Sequence, residues 1–162
     1  MLFIKEEFVD RGMATIQKSL SKLVAKERMS QLDADETIAR ITTTTNRNDC
    51  ADVDLVVEAV PEILDLKTSI FSELDEICKP ECILASNTSS ISISTIANAT
   101  SRPDKVIGMH FMNPVPIMKL VEIINGDQTS EATNTFVVEA AERMGKTALS
   151  CNDSPGFVSN RI

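Results

Sequence analysis

The chain has 162 residues, 43% of them hydrophobic and 25% charged, with a formal net charge of −8 and a pI near 4.7. That length suffices for one compact domain with its own core, and the acidic balance argues against nonspecific binding to nucleic acid or to acidic membrane surfaces. No apolar run reaches the roughly 18–20 residues that span a bilayer, and the opening MLFI is too short for the apolar part of a secretory leader, so a soluble intracellular protein is the expectation.

Residues 5–28 place Phe8, Met13, Ile16, Leu20 and Leu23 or Val24 at helical spacing. A short second helix is expected in DADETIARI, entered through Asp33, before the β-branched TTTT of 42–45 with its strand character. DLVVEAV (54–60) reads as a buried strand and EILDLKTSIFSELDEICK as an amphipathic helix. The cycle repeats with CILAS as strand, SISTIANA as helix, and KVIGMH and KLVEII as strands. The helix SEATNTFVVEAAERMG, with Gly145 at its C-terminal stop, and the strand TALSC complete it. Short, continuously apolar strands alternating with helices indicate an α/β fold with a mainly parallel sheet. Pro155 and Gly156 in NDSPGF mark a domain edge. The four cysteines (Cys50, Cys78, Cys82, Cys151) read as reduced structural thiols, because a CxxxC pair in a chain with one histidine is a weak metal signal.

Ligands of open α/β sheets bind at the carboxyl ends of the strands. Three stretches carry polar residues there: Glu58 and Glu62 after the first strand, Asn87–Ser90 after the second, His110 and Asn113 after the third. For Ser90 or Ser92, capping of the following helix is the favoured reading. Glu122 shares a strand face with Leu120 and Ile124, so it is at least half buried and needs a cation or a strong donor. His110, the only histidine, lies across an NPVP loop that can fold the chain back. A carboxylate that orients an imidazole and a core histidine with an amide-satisfied glutamate are equally open on spacing alone.

The stretch ILASNTSSISISTIANATSRPDKVIGMHFMNPVPIMKLVEII closely resembles the L-3-hydroxyacyl-CoA dehydrogenases, in particular their 3-hydroxybutyryl-CoA type. VVEAVPE, the N-terminal EEFVDRGMATIQKSLSKLVAK and the closing SPGFVSNRI agree with it. The resemblance implies an NAD-dependent oxidoreductase of fatty-acid and butanoate metabolism that interconverts (S)-3-hydroxyacyl-CoA and 3-oxoacyl-CoA. By the same resemblance, His110 is the catalytic base, Glu122 its acidic partner, Ser89 the serine between substrate and nicotinamide, and Asn160 a substrate-holding residue. Glu62, Lys67, Ser89 and Asn113 fall at cofactor-binding positions, and Ser19 and Lys26 at positions that contact CoA.

The resemblance also implies a division into a partial NAD-binding, Rossmann-like domain over 1–153 and the start of a helical domain over 154–162. It implies a homodimer for full-length members, no nucleic-acid or membrane partner, and a cytoplasmic location, or a mitochondrial one if a targeting segment precedes the chain. The family's G-x-G-x-x-G does not occur among the five glycines, and Phe3 stands where an acid would hold the adenosine ribose. The expected fold is therefore an incomplete doubly wound parallel sheet, lacking its first strand and glycine-rich loop, from a chain truncated at both ends. Two other readings remain open: a non-catalytic remnant that binds acyl-CoA or a partner, and a dehydrogenase of free hydroxy acids or sugar acids.

Overall fold

A computed structural model describes residues 1, 2 and 5–160, which fall into two compact units, Met1–Asp49 and Cys50–Ile162. Phe3 lies outside the described residues.

The first unit is a helix pair, α1 (Glu6–Ala25) and α2 (Gln31–Ala39). Helix α1 stops because Glu27 turns into the left-handed region at φ 55. The Glu27 amide then donates to the Val24 carbonyl and the Arg28 amide to the Leu23 carbonyl, which satisfies the last turn. Helix α2 starts earlier than its sequence suggests. Ser30, not Asp33, is the N-cap: its Oγ accepts from the Asp33 amide at 3.0 Å and donates to the Asp33 carboxylate at 2.7 Å. The two helices bury Leu20 against Ala34. The threonine run does not form a strand; only Thr44 bridges to Leu2. Its hydroxyls go to acids instead, Thr44 to Asp49 and Thr45 to Glu6 at 3.0 Å, the kind of side-chain bonding that competes with a ladder.

The second unit runs β1 (Leu55–Glu58), α3 (Leu64–Ile77), β2 (Ile83–Ser86), α4 (Ile93–Ala97), β3 (Val106–Phe111), β4 (Leu120–Asn125), α5 (Glu131–Arg143) and β5 (Thr147–Asn152). The strands form one sheet in the order β1-β2-β3-β4-β5. Each pairing is parallel except β3–β4. The segment 112–119 is too short for a helical crossover, so β4 returns antiparallel to β3. Helices cover both faces. Phe71 and Leu74 of α3 and Ile93 and Ile96 of α4 pack with Leu84 and Ile124 on one side. Val137 and Ala141 of α5 pack with Ile107, Met109 and Ile123 on the other. The α/β architecture with a mainly parallel sheet is thus as expected from the periodicity. Arg102 closes the end of α3 by donating to the Asp75, Cys78 and Lys79 carbonyls at and just past the last turn. Cys78 and Cys82 are core side chains, and burial pushes the Cys82 thiol up to about 12.

Gly108 sits in β3 opposite Ile124. A Cβ there would lie 2.8 Å from Cβ and Cδ1 of Ile124 and 3.0 Å from Ile93 Cδ1. The missing side chain lets α4 and β4 close on β3 two residues before His110. Gly108→Ala should therefore destabilise the chain by about 1–3 kcal/mol through overpacking. Guanidinium denaturation measures this; an unchanged midpoint would mean that Ile93 and Ile124 move aside freely.

Candidate active site

Because β1, β2 and β3 are parallel neighbours, their carboxyl ends lie together. The three polar stretches singled out in the sequence therefore share one edge of the sheet. Asn87 ties these ends to one another. Its amide donates to the Glu58 carbonyl at 2.7 Å, and its side-chain oxygen accepts from the Phe111 amide at 2.8 Å.

His110 and Glu122 face each other directly across the antiparallel β3–β4 pair. Nδ1 of His110 lies 2.8 Å from Oε2 of Glu122, with the histidine 7% exposed and the glutamate fully buried. Segment 154–160 supplies the rest of the carboxylate's shell. The Val158 and Ser159 amides donate to Oε1 at 3.1 and 2.7 Å, and the Ser159 hydroxyl donates to Oε2 at 3.1 Å. Burial alone would push the Glu122 carboxyl up, yet the donors from His110, Ser159 and Val158 together hold it below its ordinary value. An ionised carboxylate accepts only, so Nδ1 carries a proton and Nε2 of the neutral ring is left with its lone pair. Phe157 packs edge-on to the imidazole, ring centroids 6.0 Å apart, and is itself 1% exposed. Its left-handed backbone, φ 49, is unfavourable for a side-chain-bearing residue and is offset by that burial.

The second cluster surrounds the turn after β2. Oε1 of Glu62 accepts from the Thr88 hydroxyl at 2.5 Å, the Ser89 and Ser90 amides at 2.9 and 3.0 Å, and the Ser90 hydroxyl at 3.2 Å. Desolvation opposes ionisation of Glu62, but these donors and Lys67 bring its carboxyl down to about 2. Lys67, expected on the cofactor, is instead fully enclosed. Its ammonium donates to both oxygens of Glu58 at 2.9 and 3.0 Å and to the Val60 carbonyl at 3.3 Å, with Glu62 Oε2 at 3.4 Å. A buried cation needs such partners to offset its desolvation. Lys67 thus reaches toward the site's surface only as the ion-pair partner of Glu62. The Ser86 hydroxyl completes the Glu58 shell at 2.7 Å.

The remaining candidates are accessible. Ser89, Asn113 and Asn160 are exposed, and the Asn160 amide nitrogen donates to the Ser89 carbonyl at 3.3 Å, which brings those two together. Asn113 sits on the loop between β3 and β4, where its bond to Pro114 is cis. Ser92 caps α4, accepting from the Thr95 amide, whereas Ser90 serves Glu62. Ser19 and Lys26 belong to the first unit. Ser19 is half-buried and donates to the Thr15 carbonyl at 2.9 Å, and Lys26 is exposed at the end of α1. Ser19 lies within α1, and Lys26 is the C-cap residue that follows it. Sequence reasoning gave no role to Ser159, Asn87 or Glu58. Asn87 and Glu58 are visible as polar residues at strand ends, but no spacing singles out Ser159.

A carboxyl held at about 2 has a depressed folded value, so its contribution is full above the ordinary 4.5 and fades only as pH falls toward about 2. The Ser89 and Ser90 amide NMR shifts should therefore hold constant from pH ~6 to ~3. A titration of those amides centred at 4.5, the ordinary carboxyl value, would show that Glu62 does not hold the turn.

Comparison with known proteins gives the family. The family model for the 3-hydroxyacyl-CoA dehydrogenase NAD binding domain matches residues 1–154. A probable 3-hydroxybutyryl-CoA dehydrogenase of Deinococcus radiodurans is 58% identical over 159 residues, which is 98% of this chain and 56% of that protein. The fatty acid oxidation complex subunit alpha of Psychrobacter arcticus is 44% identical over 98% of this chain and 22% of its own length. The crystal structure of (S)-3-hydroxybutyryl-CoA dehydrogenase from Ralstonia eutropha superposes with a TM-score of 0.98 at 45% identity, covering all of this chain and 57% of that one. The chain spans about half the length of the curated 3-hydroxybutyryl-CoA dehydrogenases it matches. It belongs to the 3-hydroxyacyl-CoA dehydrogenase NAD-binding-domain family.

Proposed function

We propose that this chain carries the acid–base centre of an NAD-dependent 3-hydroxyacyl-CoA dehydrogenase acting on short acyl chains. The observation that carries the proposal is the 2.8 Å contact of His110 Nδ1 with the buried Glu122. It leaves Nε2 as the basic nitrogen at the carboxyl ends of parallel strands. In the oxidising direction Nε2 takes the proton of the 3-hydroxyl while the hydride departs from C3; in the reducing direction the same nitrogen returns that proton to the carbonyl oxygen. The imidazolium that forms is stabilised by the Glu122 charge. Bound NAD supplies the hydride acceptor.

We assign the nicotinamide half of such a cofactor to the exposed Ser89, Asn113 and Glu62, of which Ser89 and Glu62 are hydrogen-bonded to each other. Lys67 contributes by fixing Glu62. Asn160, held to the Ser89 turn, orients the substrate oxygen. Ser19 of α1 and Lys26 just past its end take the CoA moiety. For the pyrophosphate, these 162 residues contain no G-x-G-x-x-G whose amides could hold it. We read Ser154 onward as the start of a helical domain and propose a homodimer for the full-length protein. No helix among the described residues is long and apolar enough to cross a membrane, and we place the protein in the cytoplasm on the strength of its bacterial relatives.

Two measurements test the proposal. In a chimaera supplying the remaining length of the Deinococcus relative, His110→Gln should lower acetoacetyl-CoA reduction by about 10²–10⁴-fold, and Glu122→Gln should also reduce it strongly. Near-native rates in both variants would end the assignment. The 162-residue chain alone should fail to saturate with NAD at about 1 mM in calorimetric titration, whereas the chimaera saturates. Micromolar affinity in the unextended chain would show that it holds the pyrophosphate by other residues.

A further inference from the structure

The geometry points to Ser159 as a positioning residue that sets both the orientation and the charge of the Glu122 carboxylate toward His110, an inference that rests on the proposed dyad. Ser159 contacts the carboxylate twice. Its amide donates to Oε1 at 2.7 Å, and its hydroxyl donates to Oε2 at 3.1 Å, the oxygen that also receives Nδ1 of His110. The other acceptor within reach, Sδ of Met112 at 3.9 Å, is longer and weaker. Each oxygen thereby has two donors, the Val158 amide completing Oε1. Two backbone donors fix the plane of the carboxylate. The hydroxyl alone competes with the imidazole for the charge on Oε2, so it tunes how strongly Glu122 pulls on Nδ1–H.

Among the described residues, no other charged side chain hydrogen-bonds or ion-pairs with His110 or Glu122. The register neighbour of Glu122 on β5 is Leu149, the ring beside His110 is Phe157, and the remaining contacts are those of Val158 and Ser159. The same short segment reaches the second cluster through Asn160, which donates to the Ser89 carbonyl at 3.3 Å. Seating of residues 157–160, driven by burial of Phe157, therefore completes the dyad and touches the Ser89 turn in one event.

The single histidine makes a direct test possible without any turnover, in the full 162-residue chain. NMR follows the Glu122 side-chain carbon and the His110 Nδ1–H proton against pH. Ser159→Ala should raise the Glu122 midpoint by about one pH unit, because a donor to its charged form is lost. It should also move the His110 Nδ1–H proton downfield, because Oε2 becomes the better acceptor. Ser159→Thr, which keeps the hydroxyl, should restore both signals. Ser159→Cys, a weak donor of similar size, should shift both in the alanine direction by less, and it serves if the alanine variant does not fold. A residue that merely packs would change thermal stability and leave these signals in place; unchanged signals in folded Ser159→Ala or Ser159→Cys overturn the inference. Glu122→Gln separates the two levels. If that change leaves the His110 ring signals native, the dyad itself is wrong; if it moves them while Ser159→Ala does not, only the role of Ser159 falls.

Discussion

A carboxylate placed with no solvent exposure in the middle of a sheet is the constraint on which this site depends. Glu122 replaces what would be another aliphatic residue between Val121 and Ile123, and its charge must be met on every side. Two elements meet it: β3 through His110, and the 154–160 segment through two amides and a hydroxyl. None of these donors lies near Glu122 in sequence. The fold brings them together because β4 runs antiparallel to β3 and because Phe157 anchors the last turn in the core. The imidazole is thus held by a group whose charge the protein stabilises in advance, and its second nitrogen is free for chemistry.

The same logic repeats on a second carboxylate pair, Glu58 and Glu62. Glu58 and Lys67 neutralise each other inside the unit, and Glu62 extends that chain to the surface, where one oxygen gathers four donors of the Thr88–Ser90 turn. Rigid presentation of Ser89 follows from a buried ion pair behind it. Lys67 illustrates how burial redirects a residue. A lysine aligned with a cofactor contact spends its three hydrogens on Glu58 and its surroundings, with Glu62 as its neighbour toward the surface.

Much of this was legible in the sequence, for identifiable reasons. The strands are short apolar runs and the helices have clean periodicity, so the α/β alternation is visible. The period-two pattern places Glu122 on an apolar face, which raises the need for a partner, and the uniqueness of His110 leaves few candidates. What the sequence does not reveal is of a different physical kind. Ser30 rather than Asp33 begins α2, because a cap depends on which hydroxyl reaches an amide, and the two residues are interchangeable in composition. The threonine run looks like a strand, yet its hydroxyls find Asp49 and Glu6 instead. Ser159 has no local signature, since its role is defined by a carboxylate 37 positions away.

The most direct test of the central claim is the protonation pattern of the only imidazole in the chain. At a pH where the ring is neutral, nitrogen-15 NMR reports which ring nitrogen bears hydrogen. The arrangement described here requires the Nδ1–H tautomer, with Nδ1 in the protonated range, Nε2 in the unprotonated range, and a proton shared toward Glu122. Finding the hydrogen on Nε2 would contradict it, because Nδ1 would then face a carboxylate with no proton between them and the nitrogen assigned as the base would already be occupied.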